Sequence, residues 1–491
     1  MSVLFHLLVL YQASTIPHIF VDETHYAVTS QNVRAGHGYS LRDAFSHTVP
    51  PLQPLFIAAV QTLSHDSQTL FFVASVLVMC ASLFPAYYLA LEIGLGWRMA
   101  SAFGLCASLN PHTFYAATYM SETMQYPLFL VAFLIMAKWI KAPGIRLSLL
   151  LGGTLGTMAL VRYATGTTWI AFVIGCVAWA AVGIGESRWR ERLGHTLLVS
   201  GIYGAFQGVW WLFKISHGSS ALGMYAHAWH QLPHLTMRLV ATYIADCLLA
   251  AGVLTPIAIV AGIVRLRRER PSLLFAALPV ILLLVLSTAI YDGGLTGELR
   301  ERYAMYVFPL ILLFAISGAG VYSGQCRFWT VAGTILATAA CAGVVAFYCK
   351  SGDPLLGAPW AHLARVISLH GPTHNFSMLA FACIPLAFTT AGLAAIASRR
   401  VSAETGVLAV ALVVNALALA EMGSVFGERA KEGRRRLEPA LQITRDVPAG
   451  SRLAITGLPA GFGLTSFTEA DRLGSFSRAT LLNDDTILRL E

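Results

Sequence analysis

Two carboxylates stand side by side in "FVDETHYAVTSQNVRAGHGY": Asp22 and Glu23, directly after the first apolar run. A third acid, Glu122, lies in "YMSETMQYP", and Arg162 with Tyr163 closes a later apolar run. A further group fills "YDGGLTGELRERYAMYVFP", where Asp292, Glu298, Arg300, Glu301, Arg302 and Tyr303 precede another run. A carboxylate can take the proton from an attacking hydroxyl, and an arginine fork can hold a phosphate as it leaves. These residue types together suit transfer chemistry on a phosphorylated lipid. Each also has a plainer use. Asp22 could cap a helix, Glu122 could answer a helix dipole, and the arginines could anchor at lipid headgroups.

The elements that must position these groups are apolar. Of 491 residues, 56% are hydrophobic and 12% are charged, about half the charge of an ordinary soluble domain. Mean hydropathy is +0.65, and apolar runs near the ~20 residues needed to cross a bilayer recur along the chain. The composition excludes a water-soluble enzyme and predicts an all-α polytopic membrane protein. Thirteen spans are expected, at roughly 2–20, 68–92, 99–118, 121–138, 147–163, 165–184, 195–213, 240–263, 273–291, 303–322, 328–348, 376–397 and 403–424. The third and fifth are interrupted by "NPH" and "VRYATG". The eight cysteines are scattered without a CxxC, so they read as small apolar side chains and not as a metal or disulfide framework. No basic leader with a small-residue cleavage site is seen, and residues 1–20 read as a retained first span.

Basic residues set the orientation. With the N-terminus cytoplasmic, the short inner loops hold fourteen Lys and Arg and the longer outer loops hold nine, Lys214 among them. Cytoplasmic loops carry the excess, so the acids and arginines above gather on the outer face. This also explains the net charge of +8 without a nucleic-acid partner. Residues 1–424 form the membrane domain, with a long amphipathic first outer loop at 21–67, and 425–491 form a small mixed tail. An odd span number places that tail outside, although "GERAKEGRRRLE" puts five basic residues next to the last span. "SRLAITGL" reads as a strand.

In order along the chain, the Asp-Glu pair, "PPLQPLFIAAV", the "SET" turn and "ERY" with Pro309 resemble the integral-membrane glycosyltransferases of the GT-C fold. The branch resembled holds protein O-mannosyltransferases and aminoarabinose transferases, which use lipid-phosphate sugars. The likeness covers about 20–165 and 290–315. It implies a GT-C-like bundle and inverting transfer from a polyprenyl-phosphate sugar to a hydroxyl on a glycan, lipid or protein, at the periplasmic side of a bacterial inner membrane. Asp22 would be the general base, Glu23 its helper or a metal ligand, and Glu122 the second acid. Arg302, with Arg300 and Arg162, would hold the donor phosphate; Tyr26, His47, Glu301 and Tyr303 would line the cavity. The aminoarabinose branch has a lysine before its Pro-Pro where this chain has Val49. That departure argues against aminoarabinose and leaves the sugar open.

A lipid donor agrees with the absence of a nucleotide-binding loop in the sequence. No cofactor is required, and a divalent ion is the one candidate. Its weak ligands are Glu23 and the trio His227, His230 and His234, whose spacing puts them on one helical face; polar lining is the commoner fate of such a trio. Two rival readings stand. A lipid-linked glycan ligase or polymerase would carry its catalytic loop later in the chain. A lipid-linked sugar flippase would show polar groups near mid-membrane and an inverted repeat. Pro85 and Asp246 lie within spans, and no repeat is visible.

Overall fold

The computed structural model describes residues 2–4, 6–7, 21–41, 44–45, 49–64, 68–182, 189–218, 237–250, 255–295, 305–323, 327–349, 389–396 and 401–420, with short strands at 454–455, 479–481 and 488–490. After the first apolar run comes α1 (Val21–Arg34), then strands β1 (Ser40–Leu41) and β2 (Ala44–Phe45), then α2 (Leu52–Leu63). The bundle continues with α3 (Gln68–Cys80), α4 (Leu83–Glu92) and α5 (Trp97–Ser108). A 3-10 segment (Pro111–Ala117) leads to α6 (Glu122–Lys141), α7 (Ile145–Val161), α8 (Thr165–Val182) and α9 (Trp189–Ser216). Then follow α10 (Met237–Ala250), α11 (Thr255–Glu269), α12 (Pro271–Leu295), α13 (Phe308–Gly318) and α14 (Arg327–Cys349). The last long helix is α15 (Ala403–Ala420). In the tail, β3 (Ala454–Ile455) and β4 (Ala479–Leu481) both pair antiparallel with β5 (Leu488–Leu490).

Among the described residues, six helical stretches are long and apolar enough to cross a membrane. The chain is an integral membrane protein built of helices. The helix that shows this most directly is α9. Its buried stripe is Val199, Tyr203, Gln207, Trp210 and Lys214, whereas Val209, Leu212 and Ile215 are exposed. Apolar groups face outward and polar groups inward, the reverse of a soluble helix, because lipid is the outer solvent.

Backbone breakers divide the expected spans. The expected run at 240–263 falls on α10 and α11, and residues 251–254 lie outside the described residues. Pro256 stands at the second position of α11, where its missing N–H costs nothing but where it cannot continue a preceding helix. The run at 99–118 stops at Ser108, and Asn110 starts the 3-10 segment by accepting the His112 N–H at 3.0 Å. The expected span at 68–92 is kept as one membrane-crossing stretch, Thr69–Glu92, in which α3 gives way to α4 at Ala81 and Ser82.

Small residues let the helices meet. A Cβ on Gly262 of α11 would collide with the Phe314 carbonyl of α13, and one on Gly318 would collide with the Ala258 carbonyl. Gly152 and Gly156 of α7 likewise receive Ile202 and Phe206 of α9. Close backbone approach of this kind is the usual source of helix cohesion in lipid.

The segment after the first apolar run is ordered by α1 and α2, which pack on each other. Helix α1 ends at "RAGHGY", where Gly36 and Gly38 take positive φ (78° and 76°) that a side chain would disfavour. The chain then folds back through the β1–β2 ladder, Ser40 opposite Phe45. Tyr39 donates its hydroxyl to the Val49 carbonyl at 2.9 Å and so pins the start of the Pro-Pro segment.

Candidate active site

The site is assembled around Tyr119, three residues before α6 begins at Glu122. Glu23, the second member of the acid pair, is 2% exposed and accepts the Tyr119 backbone N–H at 2.8 Å. Gln53 of α2 donates to the Tyr119 carbonyl at 3.0 Å, and Gln61 donates to its hydroxyl at 3.2 Å. The Tyr119 ring stacks on Phe71 of α3 at 4.8 Å. One residue thus ties α1, α2 and α3 to the start of α6.

That start carries Glu122. It is fully buried and forms an ion pair with Arg162, the residue that caps the C-terminus of α7. Its other oxygen, Oε2, has no hydrogen-bond partner among the described residues. Burying two charges is costly, and mutual attraction offsets the cost only in good geometry. The resemblance gave Arg162 to the donor phosphate and made Glu122 the second acid, with Asp22 as the base. The structure joins Arg162 and Glu122 to each other.

Tyrosines surround this pair. Tyr306, in the turn before α13, lies close enough to feel the charges of Arg162 and Glu122, and Tyr26 of α1 is near it. Tyr306 packs on Phe129 at 5.2 Å. The side chain of Asn110 donates to the Met305 carbonyl at 3.3 Å, which holds this turn against the 3-10 segment. Tyr26 is 5% exposed and also lies near Tyr39. Burial pushes the Tyr39 phenol well above its ordinary value.

On the other side of Arg162, Tyr163 receives the Trp210 indole N–H at 3.0 Å and the Lys214 ammonium at 3.2 Å. The ammonium also sits over the Tyr163 ring, 5.1 Å from its centroid. The Tyr39 ring meets Trp210 edge-on at 5.4 Å. Burial raises the Tyr163 phenol to about 12 against the lowering effect of the Trp210 hydrogen bond.

Of the residues singled out from sequence, Glu23, Tyr26, Glu122 and Arg162 come together at one end of the bundle. Asp22 lies in the first turn of α1 beside Glu23, and its side chain lies outside the described residues. His47, Arg300, Glu301, Arg302, Tyr303, His227, His230 and His234 also lie outside them. Among the described residues no group of three His, Cys, Asp or Glu could hold a metal ion. Glu23, offered as a helper or a ligand, accepts the Tyr119 backbone N–H. Tyr119, Lys214 and Tyr306 were not singled out by sequence reasoning for the site, and Tyr163 was noted beside Arg162 without a role. A signal existed for Lys214: it falls in register with Tyr203, Gln207 and Trp210 on the inner stripe of α9.

No protein-family description and no curated protein matches this sequence. The structure aligns with the crystal structure of ArnT from Cupriavidus metallidurans bound to undecaprenyl phosphate. The TM-score is 0.61 at 16% identity, covering 95% of this chain and 84% of that one. The apo state of the same protein aligns at a TM-score of 0.59 and 14% identity, over 99% of this chain and 96% of that one. Similarity at this identity is a likeness of fold. This chain therefore shares its fold with ArnT, in keeping with the likeness carried by its acid pair, Pro-Pro segment and "ERY".

Proposed function

We propose that this chain is an inverting glycosyltransferase of the extracytoplasmic face, moving a sugar from a polyprenyl-phosphate donor to a hydroxyl acceptor. Asp22 takes the acceptor's proton, the acceptor oxygen forms a bond to the anomeric carbon, and the bond from that carbon to the phosphate oxygen breaks. The polyprenyl phosphate leaves with the electron pair, and Arg300 and Arg302 are assigned to hold it. The membrane is assigned as a bacterial inner membrane, with the site facing the periplasm.

The observation that carries this reading is the latch between Glu23 and Tyr119. It holds the first turn of α1, and with it Asp22, against the segment that ends in the buried Glu122–Arg162 pair. Acid, cation and tyrosine thus converge from α1, α6, α7 and the turn before α13. The likeness in fold to ArnT, crystallised with undecaprenyl phosphate, supports the choice of lipid donor.

The test is turnover with a panel of polyprenyl-phosphate sugars and purified protein. Asp22→Asn should lower transfer by about 10²–10⁴-fold, the usual worth of a general base, while donor binding is kept. Full activity in that variant would sink the mechanism. Failure of the wild type on every lipid-phosphate sugar would sink the substrate class.

A further inference from the structure

At the other end of the bundle, the ends of α4, α5, α11, α13 and α15 surround a cavity of about 250 Å³. Helices α6 and α13 both run towards it from the Glu122–Arg162 pair. Glu122 opens α6, and Lys138, near the close of that helix, pairs with Glu92 of α4 at 3.2 Å. Tyr306 precedes α13, and Ser317, near its close, lines the cavity. Gly94, in the turn from α4 to α5, takes a φ of 87°, and an added Cβ on Gly94 or Gly96 would meet nothing within 4 Å. Helix α15 is fastened on α5 here, where Thr405 donates to the Met99 sulfur at 3.7 Å. Trp97 follows Gly96 and is 65% exposed, with the Arg98 guanidinium 5.1 Å from its ring centroid. Exposed tryptophan beside arginine marks the depth of lipid headgroups.

Two opposite charges line this space, Arg265 of α11 and Glu404 of α15, together with Ser317 and Ser402. They are not each other's partners. Glu269 accepts from Arg265 Nε at 2.9 and 3.0 Å, and the Ser317 carbonyl accepts from Nη1 at 3.1 Å. The guanidinium plane is thereby fixed, and its second amino group, Nη2, has no partner among the described residues. The Glu404 carboxylate forms no hydrogen bond or ion pair among the described residues. A fixed cation and a carboxylate in one small space match a ligand that carries both charges. The volume lies below the about 300–1,000 Å³ of sites that enclose a whole small ligand, which suits a headgroup whose tails stay in the bilayer. A purely anionic headgroup would set like charge against Glu404, and a choline ammonium would offer it no N–H.

We propose that this cavity holds the headgroup of phosphatidylethanolamine, with Arg265 on the phosphate and Glu404 accepting hydrogen bonds from the primary ammonium. The site is separate from the Glu122–Arg162 pair and does not depend on the function proposed above. A lipid seated there bridges α11 and α15, so its binding stabilises the bundle. The chemistry recognised is a phosphate joined to a primary ammonium, and the lipid is assigned as its source because the cavity lies beside Trp97 at headgroup depth.

The experiment measures, by native mass spectrometry, binding to the delipidated full chain of phosphatidylethanolamine, phosphatidylcholine and phosphatidylglycerol with the same acyl chains, and of free phosphoethanolamine. The wild type should bind the ethanolamine lipid about 10-fold more tightly than the other two lipids, as for hydrogen bonds between charged groups. Glu404→Gln should bring that lipid down to the level of phosphatidylcholine and leave phosphatidylcholine unchanged. Arg265→Gln should weaken all three lipids. Gly96→Leu adds a side chain to the open space from a backbone conformation (φ −65°, ψ 158°) that any residue adopts, and should weaken the ethanolamine lipid while unfolding at the wild-type temperature in detergent alone. Equal wild-type affinity for the ethanolamine and choline lipids would overturn the proposal, as would unchanged binding in both Glu404→Gln and Gly96→Leu. Tighter binding of phosphatidylglycerol would overturn the role given to Glu404. Phosphoethanolamine binding as tightly as the lipid would overturn the lipid assignment.

Discussion

Glu122 and Arg162 form an ion pair closed to solvent on both sides, joining the first turn of α6 to the end of α7. Removing one partner leaves a lone buried charge. Arg162→Met should therefore destabilise the protein by about 3–5 kcal/mol, read as a fall in its unfolding temperature in detergent. Glu122→Gln should cost less, because an amide can still accept from the guanidinium. Combining the two changes should recover part of the Arg162→Met loss. Additive losses would show that the two side chains are not energetically paired.

Glu23 and Tyr119 make a different kind of contact, carboxylate to backbone. Glu23→Ala leaves the Tyr119 N–H without its acceptor and should cost about 1–3 kcal/mol. Glu23→Gln keeps an acceptor oxygen and should cost less. Both should lower transfer by loosening the turn that holds Asp22. A Glu23→Ala protein with wild-type stability and wild-type turnover would remove the latch from the account.

The Tyr163 phenol predicts a pH effect of fixed sign. Its folded value is about 12 against an ordinary 10.0, so between these limits the folded state holds a proton that the unfolded state has lost. Stability from this group is complete below pH 10 and falls as pH rises towards about 12. Tyr163→Phe should flatten this alkaline part of the unfolding-temperature profile and leave the neutral part unchanged in slope. An identical alkaline slope in the variant would place the titration elsewhere.

The α11–α13 crossing tests the packing argument. Gly262→Val and Gly318→Val each drive a side chain into the facing carbonyl, and overpacking of this kind costs about 1–3 kcal/mol or more. Gly204 of α9 meets nothing within 4 Å of an added Cβ, so Gly204→Ala should be neutral or slightly stabilising. Size-exclusion profiles and unfolding temperatures of the three variants give the comparison. Equal behaviour of all three would contradict the close crossing.

What the sequence determined by itself was the solvent and the boundaries. Lipid makes charge costly, so the few acids and arginines were visible at the ends of apolar runs, and Asp22, Glu23, Glu122 and Arg162 could be named before any fold was known. The "NPH" break was visible for the same reason that it exists: proline has no N–H to extend a helix. Tertiary structure alone decided the partners. Glu122 and Arg162 are 40 residues apart, and Lys214 and Tyr163 are 51 apart; no periodicity links positions on different helices. Lys214 was counted as a loop charge because the apolar run ends one residue before it. Helix α9 continues to Ser216 and turns that lysine inward. Which way a helix faces depends on what packs against it, and here that is α7, whose Gly152 and Gly156 admit Ile202 and Phe206 of α9.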